Sequence, residues 1–197
     1  VNGELGDANE PLRQWLTRQE DRVAHMRIRE LRSAAVAELA GRLLEPAGKI
    51  RQGTPKALAA RSQGHPLTLD TLVRHYLLNG EFPGEHDSLE LVLWRRVQML
   101  SEPARDVLAC LCVARVPLPL DVAADAAQIS PESFARHVAT MRVANLIRMV
   151  RDSHGERLTP AHEAIRRAVL PQLDERRAEQ LHRQLALAMV TWQAAPA

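Results

Sequence analysis

Aromatic side chains are scarce: two Phe, one Tyr and three Trp make up 3% of the 197 residues. Apolar residues still reach 46%, so a core must be built mainly from Leu, Val, Ala and Met. Cysteine is nearly missing, with only Cys110 and Cys112. Two apart on a helix, they point about 200° from one another. A disulfide between them is not expected, and a reduced, cytoplasmic compartment fits. No long apolar run exists. The longest, Val107 to Ala114, is far short of a membrane span, and no signal peptide is visible. An excess of one charge sign is also missing. The 26 basic and 24 acidic residues leave a net +2, which describes a mixed soluble surface rather than a nucleic-acid-coating protein. What is abundant is Leu, Ala, Arg and Glu, all strong helix formers. β-branched residues cluster in a few short places, and the chain reads as mainly α.

Chemistry-bearing patterns are equally thin. Gly48-Lys49 is no phosphate loop: Gly41 lies seven residues before Gly48 instead of five, and Ile50 stands where Ser or Thr would hold magnesium. The eight histidines show no metal-ligand spacing. Both cysteines sit in an apolar helix, which does not favour a reactive thiolate. Asp and Glu are spread over solvated helix faces. No catalytic set emerges, so this piece is not read as an enzyme.

In chain order, Glu10 to Gln19 predicts a short helix, with Leu12, Trp15 and Leu16 at helical spacing. Val23 to Arg29 alternates and reads as a strand whose sheet lies outside the chain. Ser33 is expected to cap a helix to Leu44, and Thr54-Pro55 to start another to Arg61. Gly64-His65-Pro66 opens a helix to Asn79, with Leu67, Leu69, Leu72, Val73, Tyr76 and Leu77 on its apolar face. Residues 81–87 form a linker. Ser88 caps a helix to Leu100, Ser101-Glu-Pro starts one to Ala114, Pro117-Leu-Pro one to Ala127, and Ser130-Pro131 one to Ala144. Leu146 to Val150 and Glu156 to Leu158 should pair as a hairpin around Asp152-Ser-His-Gly. Thr159-Pro160 and Asp174 are expected to start the last two helices. Three helices and a hairpin follow the winged-helix order. The chain divides into 1–32, a lid-like helical domain 33–80, the linker 81–87, a winged-helix domain 88–160, and C-terminal helices 161–197. The chain begins with Val and reads as a piece of something longer.

Three functional readings follow. In the first, Gly64 and Pro66 form a corner that holds a rigid apolar ring against a flat ligand such as a nucleotide base. His162, just after the hairpin, offers a ring N–H to a phosphate or a backbone carbonyl. In the second, the helix from Ser130 reads DNA through Arg136, His137 and Arg142, although its basic face is thin and Glu132 lies near its tip. In the third, the last helix docks a protein or a following helical array through Leu181, Leu185 and Met189.

The Gly64-His-Pro-Leu-Thr-Leu corner resembles the glycine-x-proline element of the STAND signal-transduction ATPases, in particular bacterial maltose-activator and ATPase-linked kinase types. Leu69-Asp-Thr-Leu-Val-Arg74, Leu100-Ser-Glu-Pro-Ala-Arg105, Pro119-Leu-Asp-Val-Ala-Ala124 and His162-Glu-Ala-Ile-Arg-Arg-Ala-Val169 are similar to the motifs that follow it, in order. The resemblance runs from about Val23 to about Leu187. It implies that Pro66 packs on the adenine of ADP or ATP, with Gly64 in the same corner, and that His162 approaches the β-phosphate. It also implies that Val23 to Arg29 is the last strand of a nucleotide-binding domain supplied by the rest of the parent chain, where magnesium would also bind. The phosphate loop and the magnesium-binding acidic strand are absent, so no nucleotide is expected to bind this piece tightly.

Overall fold

A computed structural model describes residues 15, 29–48, 53–84, 86–152 and 155–194. The expected strand from Val23 lies outside the described residues, apart from Arg29. So does the first expected helix, apart from the exposed, helical Trp15. The described residues hold nine α-helices and a three-stranded antiparallel sheet, so the mainly α reading holds.

The N-terminal half is three helices, α1 (Ser33–Leu44), α2 (Thr54–Ser62) and α3 (Pro66–Asn79). Val36, Ala40 and Leu44 of α1 are spaced one turn apart and buried against Leu58 of α2 and Leu69, Val73 and Tyr76 of α3. Proline opens α2 and α3 where its missing N–H is harmless. Two expected caps differ. Ser33 is the first helical residue, with Arg32 at the cap position and no side-chain cap bond. Gly53, at φ +91°, precedes Thr54 and takes the cap position of α2. On α3, Leu77 is 43% exposed. Thr71 and His75, on the same helix, are buried instead.

Residues 81–87 are fastened at both ends. The Phe82 ring lies 5.2 Å from that of Tyr76, and the Arg61 guanidinium sits 5.7 Å above it while donating to the Gly84 carbonyl. Asp87 accepts from the Gly84 N–H and from Arg95 on the next helix.

The C-terminal half begins with α4 (Leu89–Gln98), where the Ser88 hydroxyl accepts from the Leu91 N–H as the sequence suggests. Then come α5 (Glu102–Ala114), β1 (Leu118–Pro119), α6 (Leu120–Ala126), α7 (Pro131–Val143), β2 (Ile147–Asp152), β3 (Gly155–Pro160), α8 (Glu163–Val169) and α9 (Glu175–Ala194). The sheet order is β1–β3–β2, with Leu118 opposite Leu158 and Met149 opposite Leu158 on the other side. α5 is the spine: Val107 through Val113 are all buried. Both cysteines lie within it as free thiols, pushed up to about 12 by burial.

Three expectations fail here for identifiable reasons. Leu118-Pro119 does not belong to a helix but forms a two-residue strand, because Leu118 is drawn into the core beside Leu158. Thr159-Pro160 ends β3 instead of starting a helix. Pro160 lies at the strand end, beyond β1, where a missing N–H is tolerated. Leu181 and Leu185 are buried in the same core as α5, so they cannot present a docking face. Of that trio only Met189 is exposed, and the exposed apolar residues of α9 are Leu187, Met189, Val190 and Trp192. Among the described residues, no helix is long and apolar enough to cross a membrane.

Candidate functional site

The halves have separate apolar cores and meet through Leu67 of α3, which packs against the C-terminal core, and through a polar junction. α7 ends at Val143, and its last carbonyls need acceptable donors. The backbone itself satisfies those of Thr140, Met141 and Arg142 through the N–H groups of Ala144, Leu146 and Asn145. The carbonyls of Val143 and Ala144 accept from the other elements instead. Arg74 Nη1 on α3 donates to Val143 at 3.1 Å, and Arg96 Nη2 on α4 donates to Ala144. Asn145, at φ +53°, occupies the left-handed region that Asn tolerates. Its side chain donates to Asp70 Oδ2 at 3.1 Å. Asp70 also accepts from Arg74 Nε at 2.9 and 3.0 Å.

Arg96 is 6% exposed. Desolvation holds its pKa below the usual guanidinium value; the Arg74 charge adds to that and Asp70 opposes it. The sequence spacing places Asp70 and Arg74 one turn apart and Arg96 on the inner face of its helix. Nothing local indicates that all three converge on one turn, at separations of 48, 69 and 75 residues.

Pro66 and His162 each lie close along the chain to a residue in or next to this junction. Pro66 opens α3 one turn before Asp70, with its ring exposed. Asp70 bonds Asn145, the neighbouring Leu146 carbonyl accepts from the Ala161 N–H at 3.0 Å, and His162 follows. The His162 imidazole is exposed, and the residue sits at the cap position of α8 with extended backbone and no side-chain cap bond. Gly64 differs from both. It is buried, at φ +80°, and its carbonyl accepts from the Leu31 N–H at 3.0 Å. A Cβ there would stand 2.7 Å from the Leu31 carbonyl oxygen and 2.8 Å from Glu30 Cβ. Gly64 therefore brings the corner against the segment leading out of residues 23–29.

The DNA-reading set is divided. Arg142 is exposed in the last turn of α7, and exposed Arg136 stands 3.9 Å from Glu132. His137 is half-buried with both ring nitrogens engaged, Nδ1 3.5 Å from Ser101 Oγ and Nε2 3.2 Å from Ser133 Oγ. It ties α7 to the start of α5.

Beside the junction, Thr71 Oγ1 and His75 Nδ1 are buried with no hydrogen-bond partner among the described residues. Burial lowers the His75 pKa first, then the Arg95 charge, against the raising effect of Asp87 and Glu81. Neither residue was singled out by pattern, because each interrupts an otherwise apolar face. Among the described residues, no cluster of His, Cys, Asp or Glu could hold a metal ion. A groove of about 380 Å³ between α6 and α9, lined by Asp125, Gln128, Ile129, Gln184 and Leu187, contains none of these site residues. No known family model matches the chain, and no curated protein matches it.

Proposed function

We propose that this chain is the regulatory arm of a STAND-type signalling ATPase, a helical lid and a winged helix that close together over a nucleotide held by another domain of the same parent chain. The order α5-β1-α6-α7-β2-β3 with sheet order β1–β3–β2 supports reading residues 102–160 as a winged helix. The observation that carries the functional reading is a pair of exposed groups, one in each half, each close along the chain to the junction. Pro66 belongs to the N-terminal core's helix and His162 to the C-terminal core's first turn after the sheet. A nucleotide touching the proline ring with its base and the imidazole with a phosphate would gain both contacts only in the closed arrangement. That differential contact is what lets a ligand shift an equilibrium. The piece itself carries no phosphate loop, so its part is regulation rather than hydrolysis.

Gly64 serves the same reading through the backbone. Its close approach to Leu31 sets Pro66 relative to the chain that would enter from the nucleotide-binding domain.

The test is an ADP titration of the longer protein, wild type against His162→Ala. Loss of one charge-assisted hydrogen bond should weaken ADP by roughly 1.5–3 kcal/mol. An unchanged affinity refutes the role given to His162. The DNA reading predicts salt-sensitive duplex binding lost on Arg136→Ala and Arg142→Ala, which the arm reading does not.

A further inference from the structure

The junction has a property that neither core has: it is polar, it crosses between the halves, and its charges do not balance. Two arginines, Arg74 and Arg96, converge on one turn with one carboxylate, Asp70, between them. The carbonyls they cap lie at the negative end of α7, which favours cations there. Asp70 holds Arg74 through both oxygens and takes the Asn145 amide as well. It is the group that makes the second arginine tolerable.

We propose that Asp70 and Arg74 of the N-terminal half form a latch that clasps residues 143–145, beside Arg96 of the C-terminal half, and holds the two halves closed without any ligand, with Asp70 as its keystone. The latch can open because its parts have alternatives. Asp70 and Arg74 remain paired within α3 at one-turn spacing. Arg96 keeps the Ala144 carbonyl within the C-terminal half. The Val143 carbonyl and the Asn145 amide hydrate. The two buried clusters stay intact on either side, and the apolar contact given up is that of the partly buried Leu67 against the C-terminal core. The contact is thus a reversible closure rather than a permanent seam. It deepens the regulatory reading above and rests on that reading only for what the open state means; the closure itself is independent of nucleotide.

The experiment measures a distance distribution across the junction in the 197-residue chain. Spin labels go on Ala35→Cys in α1 and Ala139→Cys in α7, both exposed positions. Cys110 and Cys112 are buried and stay unlabelled. Wild type should give one short-distance population. Asp70→Asn sets Arg74 and Arg96 against each other and should raise the long-distance population at least about tenfold. Adding Arg74→Gln to Asp70→Asn removes the repulsion and should return most of the closed population. Simple loss of packing would instead make the double variant more open than the single.

An Asp70→Asn distribution identical to wild type overturns the latch, and so does a double variant more open than the single. Should Asp70→Asn fail to fold, Asn145→Gly gives the answer, since it strands no charge and keeps the left-handed backbone accessible. It should raise the long-distance population severalfold, and no change overturns the latch. ADP takes no part in these measurements, so their failure leaves the nucleotide reading intact. A working latch in a protein whose ADP affinity ignores His162→Ala refutes the nucleotide role alone.

Discussion

At Gly64 the backbone takes φ +80°, and a Cβ would meet the Leu31 carbonyl oxygen at 2.7 Å. Gly64→Ala should therefore destabilise the chain by about 1–2 kcal/mol from the backbone conformation alone, plus the cost of displacing Leu31. Urea unfolding checks it, and a wild-type midpoint would mean that Leu31 does not dock there. His75 makes a second prediction at this scale. Its folded-state pKa lies below the ordinary value of 6.5, so the unfolded chain binds the proton more readily. Stability is then full above 6.5 and falls as pH drops from 6.5 toward the lowered folded value. The denaturation midpoint should fall between pH 7.5 and 5.5 in wild type and fall less in His75→Gln. Equal falls would remove His75 as a source of acid sensitivity. A glycine before a proline is visible in sequence. The carbonyl that demands the glycine is not, because Leu31 reaches Gly64 across 33 positions of chain, as the Leu31 N–H bond to the Gly64 carbonyl shows.

At the scale of elements, helix positions were well marked by local chemistry. Pro66 with Gly80 bounds α3, Ser88 caps α4, and the Asp174 carboxylate accepts the Arg177 N–H at the start of α9. These signals act within one turn, so they survive without tertiary context. The strands were less legible. Proline at 119 and 160 suggests helix starts, but Pro119 pairs with Arg157 far along the chain and Pro160 closes the hairpin opposite Ile147. On α9 periodicity marks an apolar face but not what covers it. Leu185, on that face, is 5% exposed, and Val190, off it, is 66% exposed. Leu185→Ala should cost about 2–5 kcal/mol as a core truncation, whereas Val190→Ala should stay within about 0.5 kcal/mol. Thermal unfolding of both variants checks the pair, and a reversal would mean that α9 presents its other face.

At the scale of the molecule, two apolar cores are joined by hydrogen bonds, charge and the single partly buried side chain of Leu67. Packed cores resist deformation because they are close to crystal density, whereas a polar contact exchanges protein partners for water at small net cost. Movement therefore belongs at the junction, and the proposed nucleotide clamp and the proposed latch both place their variable contacts there. The latch experiment belongs to this scale, since it reads the relation of one half to the other rather than the stability of either.

Composition, helix spans, most caps and the inward faces of α1, α4 and α5 follow from residues a few positions apart, and so they could be read from the chain before any coordinates. The meeting of Asp70, Arg74 and Arg96 on residues 143–145, the withdrawal of His137 into a pair of serine hydroxyls, and the burial of Leu181 and Leu185 could not. Each depends on contacts separated by tens of residues, and the energy that selects them comes from desolvation and packing that exist only once the halves are assembled.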